Sequence, residues 1–194
     1  CSMGQQASRH RPLRILVVGL DGSGKTCLLR RLMHQESALT APTHGYAITR
    51  LTYDGTDVEL WDVGGTQELR RYWSLHFEGL DGLVYVIDSA DKRRLEESGR
   101  ELHKLLHDSQ VSHLPMLIFA NKQDVLDALS DQQIVSALNI KAVRDREWHV
   151  QPCSARDRRG VDEGFAWVFS QVVKAHAAKG PAVGARRRNA PTTR

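Results

Sequence analysis

The sequence lacks any run of about 18 or more apolar residues, the length that a membrane-spanning helix needs. Its beginning also lacks the basic, then apolar, then small-residue order of a secretory signal. These absences predict a soluble, cytoplasmic protein. With 194 residues, of which 41% are hydrophobic, the chain suits one domain that buries about two thirds of its unfolded surface.

Cysteine is scarce, and the three that are present form no pair with the spacing of a metal site. Cys1, Cys27 and Cys153 are far apart and odd in number, and no CxxC motif occurs. The cysteine pattern therefore predicts neither a disulfide framework nor a structural zinc site. This pattern fits a reducing compartment such as the cytosol.

Acidic residues are missing from both ends of the chain, which together account for its net charge of +4. Residues 179–194 contain five basic residues and residues 1–14 contain three, so the chain between them is net acidic. Nucleic-acid binders carry a basic stripe on the folded face, so we expect no nucleic-acid partner. Basic ends instead indicate solvated, disordered segments or attraction to an anionic membrane.

Apolar segments alternate with helical patterns along the chain. A buried strand begins at Leu13, a hairpin turn is predicted at Asp54–Gly55, and helices are predicted over 91–108 and 162–178. Further strands are predicted over 47–53, 56–63, 83–88, 116–121 and 148–155. This order predicts an α/β fold, with a mixed, mainly parallel sheet of about six strands and helices on both faces. The predicted organisation is an N-terminal segment 1–12, a domain 13–178 and a disordered basic tail 179–194.

A glycine-rich loop between the first strand and the first helix predicts phosphate binding. The segment GLDGSGKT at 19–26 satisfies GxxxxGK[ST] in the strand–loop–helix context that this motif requires. Its backbone N–H groups would face phosphate oxygens, Lys25 would reach the β and γ phosphates, and Thr26 would bind Mg²⁺. The nucleotide-binding residues predicted here are Leu20, Asp21, Gly22, Ser23, Gly24, Lys25, Thr26 and Cys27.

Two segments that follow later strands predict guanine as the base. Asp124 ends the motif Asn121-Lys122-Gln123-Asp124, and its carboxylate can accept hydrogen bonds from guanine N1–H and the 2-amino group. Adenine lacks that pair of donors. Ser154 and Ala155 follow the last strand, where the Ala155 N–H could bind guanine O6. The predicted base site therefore contains Asn121, Lys122, Asp124, Ser154 and Ala155.

The hairpin is flanked by residues suited to Mg²⁺ and a γ phosphate. Asp62, in the segment WDVGG, can hold the ion through water, and the Gly65 N–H can contact the phosphate. Thr43, before the hairpin, would complete the shell, so Thr26 and Thr43 are the predicted metal ligands. Two consecutive glycines permit a large backbone change when the phosphate leaves.

Taken together, GLDGSGKT, WDVGG and NKQD resemble the Arf and Arf-like branch of the small GTPases over about residues 13–178. The segments YVIDSAD, RRLEESGRELHKLL, LIFANKQD and VRDREWHVQPCSA are similar to the Arf-like three subgroup. The resemblance implies a monomeric, Mg²⁺-dependent GTP/GDP switch with a P-loop small GTPase fold. It further implies effector proteins, an exchange factor, a GTPase-activating protein and the release of lipidated cargo from carriers in cilia, hence protein transport.

One position departs from the family and bears on hydrolysis. Arf-type proteins have, directly after WDVGG, the glutamine that orients the attacking water; here Thr66 stands there and Gln67 follows. We predict a weak GTPase with Lys25 and Gln67 as the catalytic candidates, in which the stretch serves mainly as a switch. The alternative is a pseudo-GTPase scaffold that binds GTP with negligible hydrolysis. A third class, an ATP-using P-loop kinase, is disfavoured by Asp124.

The first residues contain a lipidation pattern. Residues 3–8, MGQQAS, match the N-myristoylation motif, while Cys1 and Ser2 before them look like a remnant of an expression tag. A chance match to this loose motif is an open alternative. Arf relatives usually have an amphipathic helix here, but residues 5–14 have no apolar face, so we expect weak peripheral membrane contact.

Overall fold

The computed structural model of the chain describes residues 11–35 and 43–178. The MGQQAS motif and the basic tail at 179–194 lie outside the described residues, as do residues 36–42. The predictions made for those segments stay predictions.

Within these described ranges six strands form one sheet, as predicted. They are β1 (Leu13–Val18), β2 (Tyr46–Tyr53), β3 (Thr56–Val63), β4 (Gly82–Asp88), β5 (Met116–Asn121) and β6 (Trp148–Pro152). The order across the sheet is β2-β3-β1-β4-β5-β6. Only β2 and β3 are antiparallel, and the four other neighbouring pairs are parallel. The mixed, mainly parallel sheet is therefore confirmed.

The hairpin between β2 and β3 is built by Asp54 and Gly55. Both residues have positive φ, 47° and 73°, as the tight turn between two antiparallel strands requires. The turn places β2 at the edge of the sheet, where its side chains are half-buried or exposed. Strand β2 is thus an accessible edge of the sheet.

The described residues contain five α-helices, four of which cover the two faces of the sheet. They are α1 (Lys25–Leu32), α2 (Gln67–Arg70), α3 (Leu95–His107), α4 (Asp131–Ala137) and α5 (Val161–Ala178). The helices α1 and α5 share one core with the sheet, in which Phe119 of β5 packs on Phe165. The helices α3 and α4 share the core on the opposite face, where Tyr85 and Leu102 are fully buried. Helices on both faces are therefore confirmed.

The observed elements differ from the predicted ones in several places, among them the following three. The predicted helix 91–108 begins as a 3₁₀ turn over Lys92–Arg94, capped by the Asp91 carboxylate, and becomes α-helical only at Leu95. The last strand ends at Pro152 because Ser154 turns away from the sheet and donates its N–H to the Arg159 carbonyl. Helix α4 was missed, although the capping box of Ser130 and Gln133 is a readable start signal.

None of the helices in the described ranges is both long and apolar enough to cross a membrane.

Candidate functional site

The predicted motifs meet at one edge of the sheet. The phosphate loop follows β1, the WDVGG segment spans the end of β3, the NKQD motif begins at the last residue of β5 and the segment 153–155 follows β6. All four of these strands are mutually parallel in the sheet, so their carboxyl ends lie on the same side. Ligands of such α/β folds bind at this edge.

Lys25 is the first residue of α1 and lies buried under the phosphate loop. Its Nζ donates to the carbonyl oxygens of Gly19 and Leu20, each at 2.9 Å. Burial lowers the pKa of Lys25 to about 8, an effect that the nearby Asp62 carboxylate partly opposes. A buried amine with few counter-charges is suited to an anionic ligand.

Thr26, Thr43 and Asp62 meet beside Lys25, as the predicted Mg²⁺ site requires. The Thr26 hydroxyl donates to Asp62 Oδ2 at 2.6 Å and lies 3.1 Å from the Thr43 hydroxyl. Burial raises the pKa of Asp62, while the Thr26 hydrogen bond and the Lys25 charge oppose that rise. Asp62 Oδ1 is buried and has no partner among the described residues. Two hydroxyls and an unpaired carboxylate oxygen form a donor set that fits Mg²⁺.

The two glycines after β3 touch both the phosphate loop and the segment before β2. The Gly64 N–H donates to the Gly45 carbonyl at 2.9 Å, and the Gly65 carbonyl accepts from the Asp21 N–H at 3.0 Å. A Cβ on Gly65 would overlap the Gly19 carbonyl oxygen. Glycine is required there because the two backbones are in contact.

A charged network that was not predicted fixes Asp21 of the phosphate loop. Arg94 donates to Asp21 Oδ1 at 2.7 Å and to Glu97 Oε2 at 2.9 Å. Arg70 of α2 donates to Glu97 Oε1 at 2.6 Å and to Asp21 Oδ1 at 3.3 Å. Its Nε also donates to the Gly65 carbonyl at 2.7 Å. Arg70 therefore ties the WDVGG segment to the phosphate loop and to α3.

Arg70→Ala is expected to destabilise the fold by about 2 kcal/mol, less than the ~3–5 kcal/mol of a fully buried pair because Asp21 and Glu97 are partly exposed. Arg94 and Arg70 lower the pKa of Glu97, and Arg94 foremost lowers that of Asp21. This contribution is therefore present above the usual carboxylate pKa and lost as the pH falls through the lowered values. Urea unfolding at neutral pH measures it. Arg93→Ala is the control, because Arg93 precedes Arg94 in the chain and is exposed. An equal loss of unfolding free energy in both variants would contradict the stabilising role of Arg70.

The base-recognition residues form a connected cluster. Buried Asn121 donates from Nδ2 to the Ser23 carbonyl at 2.8 Å, which joins the NKQD motif to the phosphate loop. The Ser154 hydroxyl donates to Asp124 Oδ1 at 2.9 Å and so orients the carboxylate. The Ala155 N–H, predicted to bind guanine O6, donates here to Asn121 Oδ1 at 3.1 Å. A bond to O6 would have to share or replace that contact.

Lys122 has the left-handed φ of 67°, and its Nζ forms an ion pair with Asp88 Oδ2 at 2.6 Å. The pair links the ends of β4 and β5. Lys122 therefore lies in the same cluster as the other base-site residues.

Thr66 and Gln67 have different structural positions. Thr66 caps α2: its carbonyl accepts from the Leu69 and Arg70 N–H groups, at 2.9 and 3.1 Å. The pKa of Glu68 is lowered by its own backbone N–H and by a hydrogen bond with the Thr66 hydroxyl. Gln67 is the first residue of α2 and is exposed. The glutamine, which in the family directly follows WDVGG, therefore lies in this chain one position later, in the first turn of α2 and not at its N-cap.

The comparisons with known proteins agree with this geometry. The sequence model of the ADP-ribosylation factor family matches residues 2–172. ADP-ribosylation factor-like protein 3 of Chlamydomonas reinhardtii is 45% identical over 159 residues, covering 82% of this chain and 90% of that protein. ADP-ribosylation factor-like protein 3 of Caenorhabditis elegans is 42% identical over 164 residues, covering 84% and 89%.

A solved structure is similar along nearly its whole length. The Arl6 BBS3 small GTPase from Trypanosoma brucei with bound nucleotide analogue GppNp superposes with a TM-score of 0.77 at 25% identity. The match covers 84% of this chain and 98% of that chain. Sequence and fold agree, and the chain belongs to the ADP-ribosylation factor family of small GTPases, in which it resembles Arf-like protein 3.

Proposed function

We propose that the chain is an Mg²⁺-dependent GTP/GDP switch that regulates protein or membrane trafficking through GTP-dependent effector binding. The contact of Thr26 with Asp62 and Thr43 is the observation that carries the proposal. It joins the phosphate loop to the residues before β2 and at the end of β3, which flank the hairpin. A ligand at this point can therefore act on both ends of the hairpin at once.

The nucleotide would be held at its two ends by different elements. Lys25 and the N–H groups of the phosphate loop bind the phosphates, and Asp124 accepts from the guanine edge. Thr26 and Thr43 would hold Mg²⁺, with Asp62 contributing through a water molecule. The bound ion would neutralise phosphate charge. No cluster of three or more His, Cys, Asp or Glu side chains suited to a metal occurs within residues 11–35 and 43–178. Phosphate oxygens of the nucleotide would be the further ligands, as is usual for Mg²⁺ in nucleotide sites.

The switch consists of the Thr43 and Gly65 segments. In the GTP state the Thr43 hydroxyl would bind Mg²⁺ and the Gly65 N–H would donate to the γ phosphate, and both segments would lose these contacts once the phosphate has left. The Gly64 N–H bond to the Gly45 carbonyl couples the two segments, so both ends of the hairpin respond together.

An exposed aromatic surface beside the switch supports effector binding. Tyr46, 54% exposed, stacks on Trp61 with ring centroids 5.3 Å apart and meets His76 at 5.2 Å. Tyr72 and Leu75 are also exposed, at 45% and 76%. Aromatic side chains exposed in this way are typical of protein interfaces. Carriers of lipidated cargo in cilia, the implied effectors, rest on the resemblance to the Arf-like three subgroup.

Competition between GTP and ATP tests the proposed ligand. Unlabelled GTP is expected to displace a fluorescent guanine nucleotide, and ATP is expected to leave it bound, because adenine offers Asp124 no matching donor pair. Equal displacement by the two nucleotides would overturn guanine binding and favour the kinase alternative.

Nucleotide binding is expected to take up a proton at alkaline pH. Above about pH 8 the buried Lys25 amine is neutral, and it must gain a proton to bind a phosphate. GTP affinity therefore falls as the pH rises through that value and levels off about one unit below it. Calorimetry at about pH 9 in two buffers of different ionisation heat measures the uptake. Lys25→Arg, whose side chain stays charged, is the control, and a binding heat independent of the buffer would contradict the prediction.

The second candidate function is a pseudo-GTPase scaffold. It is favoured by the presence of Thr66 at the position where the family has glutamine. Thr66 lacks the paired donor and acceptor of a glutamine amide, and its hydroxyl hydrogen-bonds Glu68. Such a protein would bind GTP but hydrolyse it at a negligible rate. Single-turnover hydrolysis distinguishes the two candidates.

A further inference from the structure

Helix α1 touches the candidate site at both ends. Its first residues, Lys25 and Thr26, belong to the phosphate end. Near its last turn, Arg31 donates from Nε to the Ala155 carbonyl at 2.8 Å and from Nη2 to the Arg156 carbonyl at 2.6 Å. One guanidinium therefore holds two consecutive carbonyls of the loop after β6.

The loop that Arg31 holds carries the base-recognition groups. Ser154 precedes the two carbonyls, and its hydroxyl donates to Asp124 Oδ1 at 2.9 Å. The Ala155 N–H donates to Asn121 Oδ1 at 3.1 Å. A displacement of this loop would move the donor that orients the Asp124 carboxylate as well as the Ala155 N–H.

A second contact joins the same loop to the chain just after α1. Arg158 donates from Nη1 to His34 Nδ1 at 2.7 Å, and its Nε donates to Asp162 Oδ2 at 2.9 Å. Arg158 and His34 both have positive φ, 68° and 56°, so the two chain segments are shaped around this contact. The end of α1 therefore holds the loop at two places, of which the Arg31 contacts are nearer the base site.

We propose that Arg31 is a positioning residue for guanine recognition, which fixes the loop of Ser154 and Ala155 and thereby sets the rate of nucleotide release. The inference rests on the proposed function, since it concerns the base end of that nucleotide site. Arg31 acts through the loop, in the way that a supporting shell holds a binding residue in its productive orientation. Charge-assisted hydrogen bonds to two carbonyls suit this role because their combined geometry fixes both position and angle.

The test is the release of fluorescent GDP from Arg31→Gln, Arg31→Lys and wild-type protein. Arg31→Gln is expected to release GDP about tenfold faster, because the neutral amide can donate to at most one of the two carbonyls and the other charge-assisted hydrogen bond is lost. Arg31→Lys is expected to be intermediate, because an ammonium lacks the two-pronged geometry. Arg30→Gln is the matched control, since it changes the same charge on the same helix and Arg30 makes no side-chain hydrogen bond among the described residues.

Base discrimination distinguishes positioning from general loss of structure. Inosine diphosphate lacks the 2-amino group that would donate a hydrogen bond to the Asp124 carboxylate. The ratio of the affinities for GDP and inosine diphosphate should therefore be lower in Arg31→Gln than in the wild-type protein. If Arg31 had a purely structural role, Arg31→Gln would weaken the binding of both nucleotides equally, and that result would overturn the inference.

Release of GDP from Arg31→Gln at the rate of Arg30→Gln would also overturn the inference, while leaving the proposed function intact. Wild-type protein that binds no GDP would overturn the proposed function itself. Should Arg31→Gln not fold, Arg31→Lys decides: faster release supports the inference, and wild-type release contradicts it.

Discussion

Asp124→Asn is expected to weaken GTP binding by roughly 2–4 kcal/mol, since charged hydrogen bonds contribute about 1.5–3 kcal/mol each and are not additive. Asp124 lies at the carboxyl edge of the sheet, and the Ser154 hydroxyl orients one of its oxygens. The exposed Arg156 is 3.8 Å from the other oxygen and contributes little, because such contacts are screened by water. Calorimetric titration with GTP measures the loss, and unchanged affinity would remove the base-site assignment.

A xanthosine nucleotide is the control for that variant. Xanthine has a carbonyl where guanine has the 2-amino group, so an asparagine amide can donate to it where the Asp124 carboxylate cannot. Asp124→Asn should therefore bind xanthosine triphosphate more tightly than the wild-type protein does. Weak binding of both nucleotides would indicate that the substitution damages the fold and does not report on recognition.

Thr66→Gln is expected to raise GTP hydrolysis stimulated by an activating protein by about 10²-fold, the order of effect of placing a reacting group correctly, because the amide would orient the attacking water. The substitution restores the family's amide at the position directly after WDVGG, where an amide can contact both the attacking water and the phosphate. Nucleotide affinity should stay unchanged, because Thr66 lies outside the phosphate loop and base cluster. Single-turnover assays measure the rate, and an equal rate in both proteins would contradict the prediction.

Gln67→Leu is the companion variant and is expected to matter little. Gln67 is exposed on the first turn of α2, one residue beyond the capping position of Thr66. A side chain displaced by one residue on a helix faces a different direction. A severe loss of hydrolysis with Gln67→Leu would instead show that Gln67 reaches the phosphate in the active state.

The parts of the site that could be predicted are those written in short, contiguous segments. The glycines of the phosphate loop follow β1, the acid of WDVGG lies near the end of β3, and the NKQD motif begins at the last residue of β5. Parallel strands bring their carboxyl ends together without any detail of side-chain packing. Thr43 is predicted beside Thr26 on a different ground: it lies between the first helix and the hairpin, where a hydroxyl would complete the Mg²⁺ shell. The two hydroxyls lie 3.1 Å apart.

The parts that could not be predicted depend on contacts between distant segments. Asp21, Arg70 and Arg94 are far apart in sequence, and charged residues in helices are usually solvated. No local pattern therefore distinguishes buried Arg70 from the exposed Arg71 beside it. Arg31 is similar, because its partners are backbone carbonyls more than a hundred residues away, which any sequence would provide.

Amide hydrogen exchange, compared between protein loaded with GDP and with a non-hydrolysable GTP analogue in Mg²⁺, tests the proposed switch most directly. We expect slower exchange in the GTP-analogue form around residues 43–46 and over residues 64–72, with little change in β5 and α5. Those core elements lie outside the segments that the γ phosphate would hold. Equal exchange in the two forms across both segments would contradict a GTP/GDP switch.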